Sequence, residues 1–146
     1  MHRHFHNRTT GDRYGASAVE FAVVAPIFFL TIFACFEFGR VSMIEAFVED
    51  AAFDAARHAI VIGASVSEGT AVAQESLAIF GIQNATVTIE SEADGITQTE
   101  IDDTTDSVSV TVSVPLEDNV LIKRFFSGTV IERTAVMRTE RFRTLN

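Results

Sequence analysis

The sequence predicts an α+β protein. A transmembrane helix near the N-terminus continues into an amphipathic stem, and a second short helix and a small antiparallel sheet of about three to four strands follow. Three observations predict this fold class: an uncharged apolar segment, helical spacing of the apolar residues beyond it, and alternation of apolar with polar residues in the C-terminal half. At 146 residues the chain has room for one small domain besides a membrane span.

The apolar segment from Phe21 to Phe36 contains no charged residue. Extended back to Ala18, it would form a helix of about 28 Å, close to the roughly 30 Å of a bilayer's hydrocarbon core. Pro26 removes one hydrogen bond from its middle, which membrane helices tolerate. We therefore expect a transmembrane helix over residues 16–38, and a buried helix of a soluble protein is the alternative.

Helical spacing continues beyond Gly39 and predicts an amphipathic stem over residues 39–63, with Gly63 at its end. A second helix is predicted from Ser67 to Phe80, with Ser67 as its N-cap and Gly81 just past its end. The apolar stripe of the stem consists of Ile44, Phe47, Val48, Ala51, Ala52, Ala55, Ala59 and Ile62.

Three segments of the C-terminal half alternate apolar with polar residues and are rich in β-branched types. They predict antiparallel strands at 85–91, 108–114 and 129–138, with one face of the sheet against the stem. The acidic segment between the first two strands is predicted to be a hairpin or loop that turns at Asp94-Gly95.

Charge is unevenly placed in this chain of net charge -9. Residues 1–15 carry three Arg against one Asp, whereas residues 86–118 hold nine carboxylates and no Lys or Arg. Positively charged flanks resist translocation, so we expect a cytoplasmic N-terminus and an extracytoplasmic α+β domain over residues 64–146. A chain this acidic argues against nucleic acid as a partner.

The most informative stretch lies directly before the apolar segment. It has a glycine, Gly15, at the expected membrane edge and a carboxylate, Glu20, five residues later. A carboxylate inside an apolar membrane helix costs roughly 2.5 to 3.5 kcal/mol, so we expect Glu20 to have a function. The alternative is that Glu20 lies at the headgroup boundary and reaches water.

A family resemblance follows from these residues. Gly15, four intervening residues and Glu20-Phe21 ahead of an apolar helix resemble the processing motif of type IVb prepilins of the Flp kind, which a prepilin peptidase cuts after the glycine. The segments 18–22, 26–30 and 36–40 resemble the TadE-like minor pseudopilins of the tight-adherence system. The close match covers about residues 15–40, and segments 108–115 and 134–138 are similar in a less specific way.

The resemblance implies a leader of residues 1–15 that is cut off between Gly15 and Ala16, with Glu20 and Phe21 completing the processing motif. Glu20 would then pair with the new amino terminus of a neighbouring subunit and set the register of an assembly. The implied partners are the lipid bilayer, the prepilin peptidase, other pilin or pseudopilin subunits and the tight-adherence machinery. The inner membrane is the expected location, and the pilus or cell surface is the alternative.

Two further groups of charged residues are candidates for ion pairs. Glu37 and Arg40 lie three apart at the outer membrane edge, where one helix face can hold an ion pair, and a solvated helix exit is the alternative. The basic C-terminus either contacts a partner subunit or pairs within the chain. Its arginines are Arg133, Arg138, Arg141 and Arg143.

Catalytic chemistry finds little support, and we expect no catalytic residue, no metal site and no cofactor. His2, His4 and His6 alternate but fall in the expected leader, and the acidic loop lacks the spacing of an EF-hand. We therefore expect a non-enzymatic minor pseudopilin that takes part in assembly of an adhesive Flp pilus. An unprocessed, membrane-anchored binding module with an acidic external domain is the alternative; a lipoprotein cut before Cys35 and a membrane-tethered hydrolase are more distant ones.

Overall fold

A computed structural model describes residues 11–61, 64–102 and 104–138 of the protein. The chain divides into two units, one up to Phe38 and one from Gly39 onward. Two α-helices, two short 3₁₀ turns and one antiparallel sheet confirm the predicted α+β class. These elements are α1 (Gly11–Ala59), α2 (Val66–Ile79), β1 (Thr86–Ala93), β2 (Ile96–Gln98), β3 (Ser107–Pro115), the 3₁₀ turns Leu116–Asp118 and Lys123–Phe125, and β4 (Val130–Arg138).

In the unit that begins at Gly39, helix α1 buries one face that is made almost entirely of alanine. This face agrees with the predicted apolar stripe, although Phe47 is half-buried and Ile62 lies outside the described residues. The helix ends at Ala59, a few residues before the predicted end. The buried residues are Ile44, Val48, Ala51, Ala52, Ala55, Ala56 and Ala59.

Helix α2 begins at Val66, directly after its observed N-cap, Ser65, so the predicted cap at Ser67 is wrong. The Ser65 hydroxyl accepts from the Glu68 N–H at 3.3 Å, and the Glu68 carboxylate accepts from the Ser65 N–H at 3.0 Å. This reciprocal capping box needs a Glu or Gln three residues after the cap, and the residue three after Ser67 is Thr70. Gly81 lies just past the helix end at a φ of 70°, as predicted.

The sheet has four antiparallel strands in the order β2-β1-β3-β4, so its three predicted strands are confirmed and a fourth is added. Strand β2 pairs with β1 through a two-residue turn in which Asp94 and Gly95 have φ values of 52° and 78°. Positive φ at both positions is the geometry that twists with the flanking strands and favours Asp-Gly. The predicted turn is therefore a hairpin.

The core lies between the sheet and the two helices. Strand β3 buries Val108, Val110, Val112 and Val114 on one face. Helix α2 approaches α1 closely at Gly69, where a Cβ atom would lie 2.8 Å from Ile89 Cδ1 and 3.6 Å from the Ala55 carbonyl oxygen. Small side chains on both helices thus permit the close packing.

Asn119, in the connection between β3 and β4, is 4% exposed and holds three elements together. Its Oδ1 accepts from the Gln83 N–H at 2.8 Å, while its Nδ2 donates to the carbonyl oxygens of Gln83 and Pro115 at 3.0 and 2.9 Å. Its own carbonyl oxygen accepts from Arg40 Nε at 2.6 Å. The connection between α2 and β1, the end of β3 and helix α1 therefore meet at this residue.

Candidate functional site

The N-terminal unit exposes a continuous apolar helix surface. Between Gly15 and Phe36 the residues of α1 are exposed, apart from a half-buried Ala25. An apolar surface of this length on a soluble monomer would be exceptional, because large exposed apolar patches mark interaction or membrane surfaces. The exposed large side chains are Val19, Phe21, Val23, Val24, Ile27, Phe28, Phe29, Leu30, Ile32, Phe33 and Phe36.

By length and composition, one helix among the described residues is able to cross a membrane, and it lies within α1 near the N-terminus. Pro26 stands inside this helix without an N–H to donate. The Thr31 hydroxyl donates to the Ile27 carbonyl oxygen at 2.9 Å, so its polar hydrogen is satisfied within the helix. Both features are compatible with a hydrocarbon surrounding.

The four residues of the predicted processing motif, Gly15, Ala16, Glu20 and Phe21, are all exposed on α1. A Cβ atom at Gly15 would meet nothing within 4 Å. The fold of the chain itself therefore puts no steric demand on Gly15.

Two carboxylates bracket the uncharged segment. Glu20 precedes it and is exposed, whereas Glu37 follows it and is 4% exposed. At 1.5 Å per residue the two positions lie about 25 Å apart along the helix, slightly less than a hydrocarbon core. Arg40 donates to the Asn119 carbonyl oxygen. The ion pair between Glu37 and Arg40 stays a prediction.

The other side chains considered as metal ligands or reactive groups are described next. The described residues contain no group of three or more His, Cys, Asp or Glu side chains arranged to hold a metal ion. His58 and Cys35 are exposed, and His2, His4 and His6 lie outside the described residues. A surface groove of about 260 Å³ is lined by Glu49, Ala52, Phe53, Arg133, Thr134 and Ala135.

The basic C-terminal residues divide in two groups. The Arg133 guanidinium lies 3.2 Å from the Glu45 carboxylate, an ion pair within the chain. Arg138 is exposed at the end of β4, and Arg141 and Arg143 lie outside the described residues. The role of Asn119 and of the loop that follows it was not predicted from the sequence. The only sequence feature that could have indicated Asn119 is its position after Pro-Leu-Glu-Asp, a composition typical of a turn.

Comparison with known proteins gives one result at family level. Residues 15–57 match the TadE-like protein family, and the matched stretch begins at Gly15 and ends near the end of α1. No curated protein and no solved structure matches the chain. Over residues 15–57 the chain is therefore similar to a TadE-like protein, and its N-terminal helix fits a single membrane span by length and composition.

Proposed function

We propose that the chain is a non-enzymatic minor pseudopilin that takes part in assembly of an adhesive tight-adherence pilus. It is inserted in the inner membrane with its N-terminus in the cytoplasm and is cut by prepilin peptidase between Gly15 and Ala16. In this proposal residues 1–15 are the leader, 16–38 the transmembrane helix, 39–63 the stem and 64–146 the extracytoplasmic domain.

The observation that carries the proposal is the combination at the start of the family match. Gly15, where the match begins, has open space around it and serves no packing role in the chain. Glu20 follows on the exposed surface of an otherwise apolar helix. An accessible glycine without packing contacts supports recognition of this site by a peptidase.

Glu20 has a role in assembly under this proposal. Cleavage would give Ala16 a free α-amino group, which is positively charged at neutral pH. In an assembly, the amino group of one subunit would neutralise Glu20 of its neighbour. An unpaired carboxylate in the bilayer is costly, so the pair favours one axial register of the subunits over others.

Substitution of Glu20 tests this role. We expect Glu20→Ala and Glu20→Gln to enter the membrane normally but to be lost from complexes cross-linked to pilin subunits in intact cells. Val23→Ala, a change at another exposed position of the same helix, is the matched control and should leave cross-linking intact. Normal cross-linking and piliation by both Glu20 variants would overturn the assembly role.

A further inference from the structure

The two edges of the sheet differ in length. Strand β2 forms one edge and has three residues, whereas β4 forms the other and has nine, Val130–Arg138. All nine pair with β3 in one uninterrupted register, and no strand among the described residues pairs with the outer edge of β4. A long, regular edge strand without proline is a template for pairing with another chain. The β4 edge is therefore where this sheet can be extended.

The register with β3 determines which main-chain groups of β4 point outward. The Leu116 N–H donates to the Thr129 carbonyl oxygen at 2.9 Å, and these two residues continue the register in which Pro115 faces Val130. Hydrogen-bonded and non-hydrogen-bonded pairs alternate along an antiparallel ladder, so every second residue from Val130 onward directs its N–H and C=O away from β3. These residues are Val130, Glu132, Thr134, Val136 and Arg138.

The side chains of these same five residues are all exposed. Two of them are charged and have opposite signs: Glu132 near the start of β4 and Arg138 at its end. The Glu132 carboxylate accepts from the Ser113 hydroxyl at 3.1 Å, and within the described part of the chain neither Glu132 nor Arg138 forms an ion pair. Both charges can therefore pair with charges on another molecule.

The other face of β4 is only partly covered. Ile131 is buried, but Arg133, Ala135 and Met137 are half-buried, whereas the four valines on the same face of β3 are fully buried. Residues of α1 and β4 line the groove of about 260 Å³, and one of them, Phe53, is 51% exposed. The apolar layer on this face of the sheet therefore continues to the outer edge of β4.

One side chain reaches the outer edge of β4. Arg133 Nη1 donates to the Glu132 carbonyl oxygen at 2.9 Å, while its Nη2 lies 3.2 Å from the Glu45 carboxylate. A carbonyl oxygen has two lone pairs and can accept a second bond. No described residue bonds to the outward main-chain groups from Thr134 to Arg138, so this part of the edge can receive another strand.

We propose that β4 pairs with β4 of a second copy of this chain, antiparallel and about a two-fold axis, so that two four-stranded sheets become one. Ala135 faces the partner's Ala135 on the axis. Glu132 then lies opposite the partner's Arg138, and Arg138 lies opposite the partner's Glu132. Opposite charges directly across two strands stabilise their pairing, and the symmetric contact makes this pair twice.

Charge selects this register and this partner. A shift by two residues puts Thr134 or Val136 on the axis and leaves Glu132 without an opposite charge across from it. A shift by one residue would turn the side chains of one copy to the wrong face of the sheet. Because β4 itself supplies both the acid and the base at matching positions, a second copy fits this edge. The proposal concerns the unit from Gly39 onward and rests neither on membrane insertion nor on cleavage at Gly15.

Disulfide cross-linking tests the contact and its register. In the full chain, Cys35→Ser removes the only cysteine, and Thr134→Cys, Ala135→Cys or Val136→Cys then adds one. In the proposed register the two copies of position 135 are a non-hydrogen-bonded pair, with Cα atoms about 4.5 Å apart. The two copies of position 134, and of position 136, are roughly 8 Å apart, beyond the reach of a disulfide. The proteins are oxidised in detergent with micelles in excess over chains.

We expect Ala135→Cys to give several-fold more disulfide dimer than the other two variants. Ala135 is half-buried whereas Thr134 and Val136 are exposed, so random collision would give the opposite order. Adding Arg138→Glu should reduce the yield at position 135 several-fold, and Arg138→Glu with Glu132→Arg should restore it, because the charges are then exchanged but still matched. Arg57→Glu, the same charge change at an exposed position of α1, is the control and should leave the yield unchanged.

A highest yield at position 134 or 136 would overturn the register and the charge pairing. No cross-linking at any position would overturn the dimer, and so would a disulfide adduct with a different protein. Failure of the exchanged charges to restore the yield would overturn the pairing of Glu132 with Arg138.

Amide exchange in the unsubstituted chain provides a test that does not depend on how the variants fold. The outward N–H groups of Thr134 and Val136 should exchange several-fold more slowly as the protein concentration rises at a constant excess of micelles. Exchange that does not depend on concentration would overturn the dimer, because only contact between two molecules responds to concentration.

Discussion

Arg40 Nε donates to the carbonyl oxygen of Asn119 at 2.6 Å, a bond between residues 79 positions apart in the chain. The Asn119 side chain is bonded in turn to the main chain of Gln83 and Pro115. One buried asparagine thereby joins helix α1, the connection between α2 and β1, and the end of β3.

Asn119→Ala should be among the most destabilising polar substitutions in the domain. It removes three hydrogen bonds and leaves the Gln83 N–H without its acceptor, at a cost of about 2 to 4 kcal/mol in the free energy of unfolding. Native-state hydrogen exchange of the Val110 and Val112 amides, in the full chain in detergent micelles, measures this free energy.

Gln83→Ala is the matched control, because Gln83 bonds to Asn119 through its main chain alone and its side chain is exposed. Its effect should stay within about 0.5 kcal/mol. A loss of similar size in both variants would mean that the asparagine bonds are not the cause.

The close approach at Gly69 predicts coupling with Ile89. A methyl group at Gly69 would collide with Ile89 Cδ1, an overpacking cost of about 1 to 3 kcal/mol that a gain of about 1 kcal/mol in helix propensity partly offsets. Ile89→Val removes that Cδ1 atom. We therefore expect Ile89→Val to destabilise the wild type but to cost distinctly less when Gly69→Ala is present.

A double-mutant cycle over these two positions, measured by the same amide exchange, gives the coupling energy. Purely additive effects would show that Ile89 does not set the room available at Gly69.

Asp102 in the acidic loop predicts a pH effect. The Thr104 hydroxyl and N–H donate to Asp102 Oδ1 at 2.7 and 2.8 Å, and these bonds lower the pKa of the carboxyl group below 3.8, its ordinary value. A lowered folded-state pKa means that the stabilising contribution is complete above the unfolded-state value and disappears as pH falls through the folded-state value.

Carboxyl chemical shifts followed by NMR should give Asp102 a titration midpoint below 3.8. Thr104→Val removes the hydroxyl donor and should raise that midpoint. An unchanged midpoint in the variant would assign the lowered pKa to some other source.

Much of the fold was predictable because its signals are local. The alanine-rich stripe of α1, the alternating valines of β3 and the Asp94-Gly95 turn each depend on residues adjacent in sequence or one helical turn apart. Strand β2 was missed because three residues carry too little periodicity; pairing with β1 across the hairpin defines it.

Contacts between distant residues were not predictable. The serine cap of α2 was misplaced by two residues because three serines or threonines stand near its start, and the partner Glu68 selects among them. Arg133 forms an ion pair within the chain, with Glu45, which is one of the two alternatives for this arginine. The residues around Arg133 in the sequence did not indicate Glu45 as its partner, because the two lie far apart along the chain. Asn119 gave no signal beyond its turn position.

The proposed cleavage between Gly15 and Ala16 is tested most directly by the intact mass and N-terminal sequence of the protein purified from membranes of cells with and without the prepilin peptidase. We expect a mature chain that begins at Ala16 in cells with the enzyme and an unprocessed chain that begins at Met1 in cells without it. A Met1 terminus in both would contradict the pseudopilin account and favour an unprocessed, membrane-anchored module.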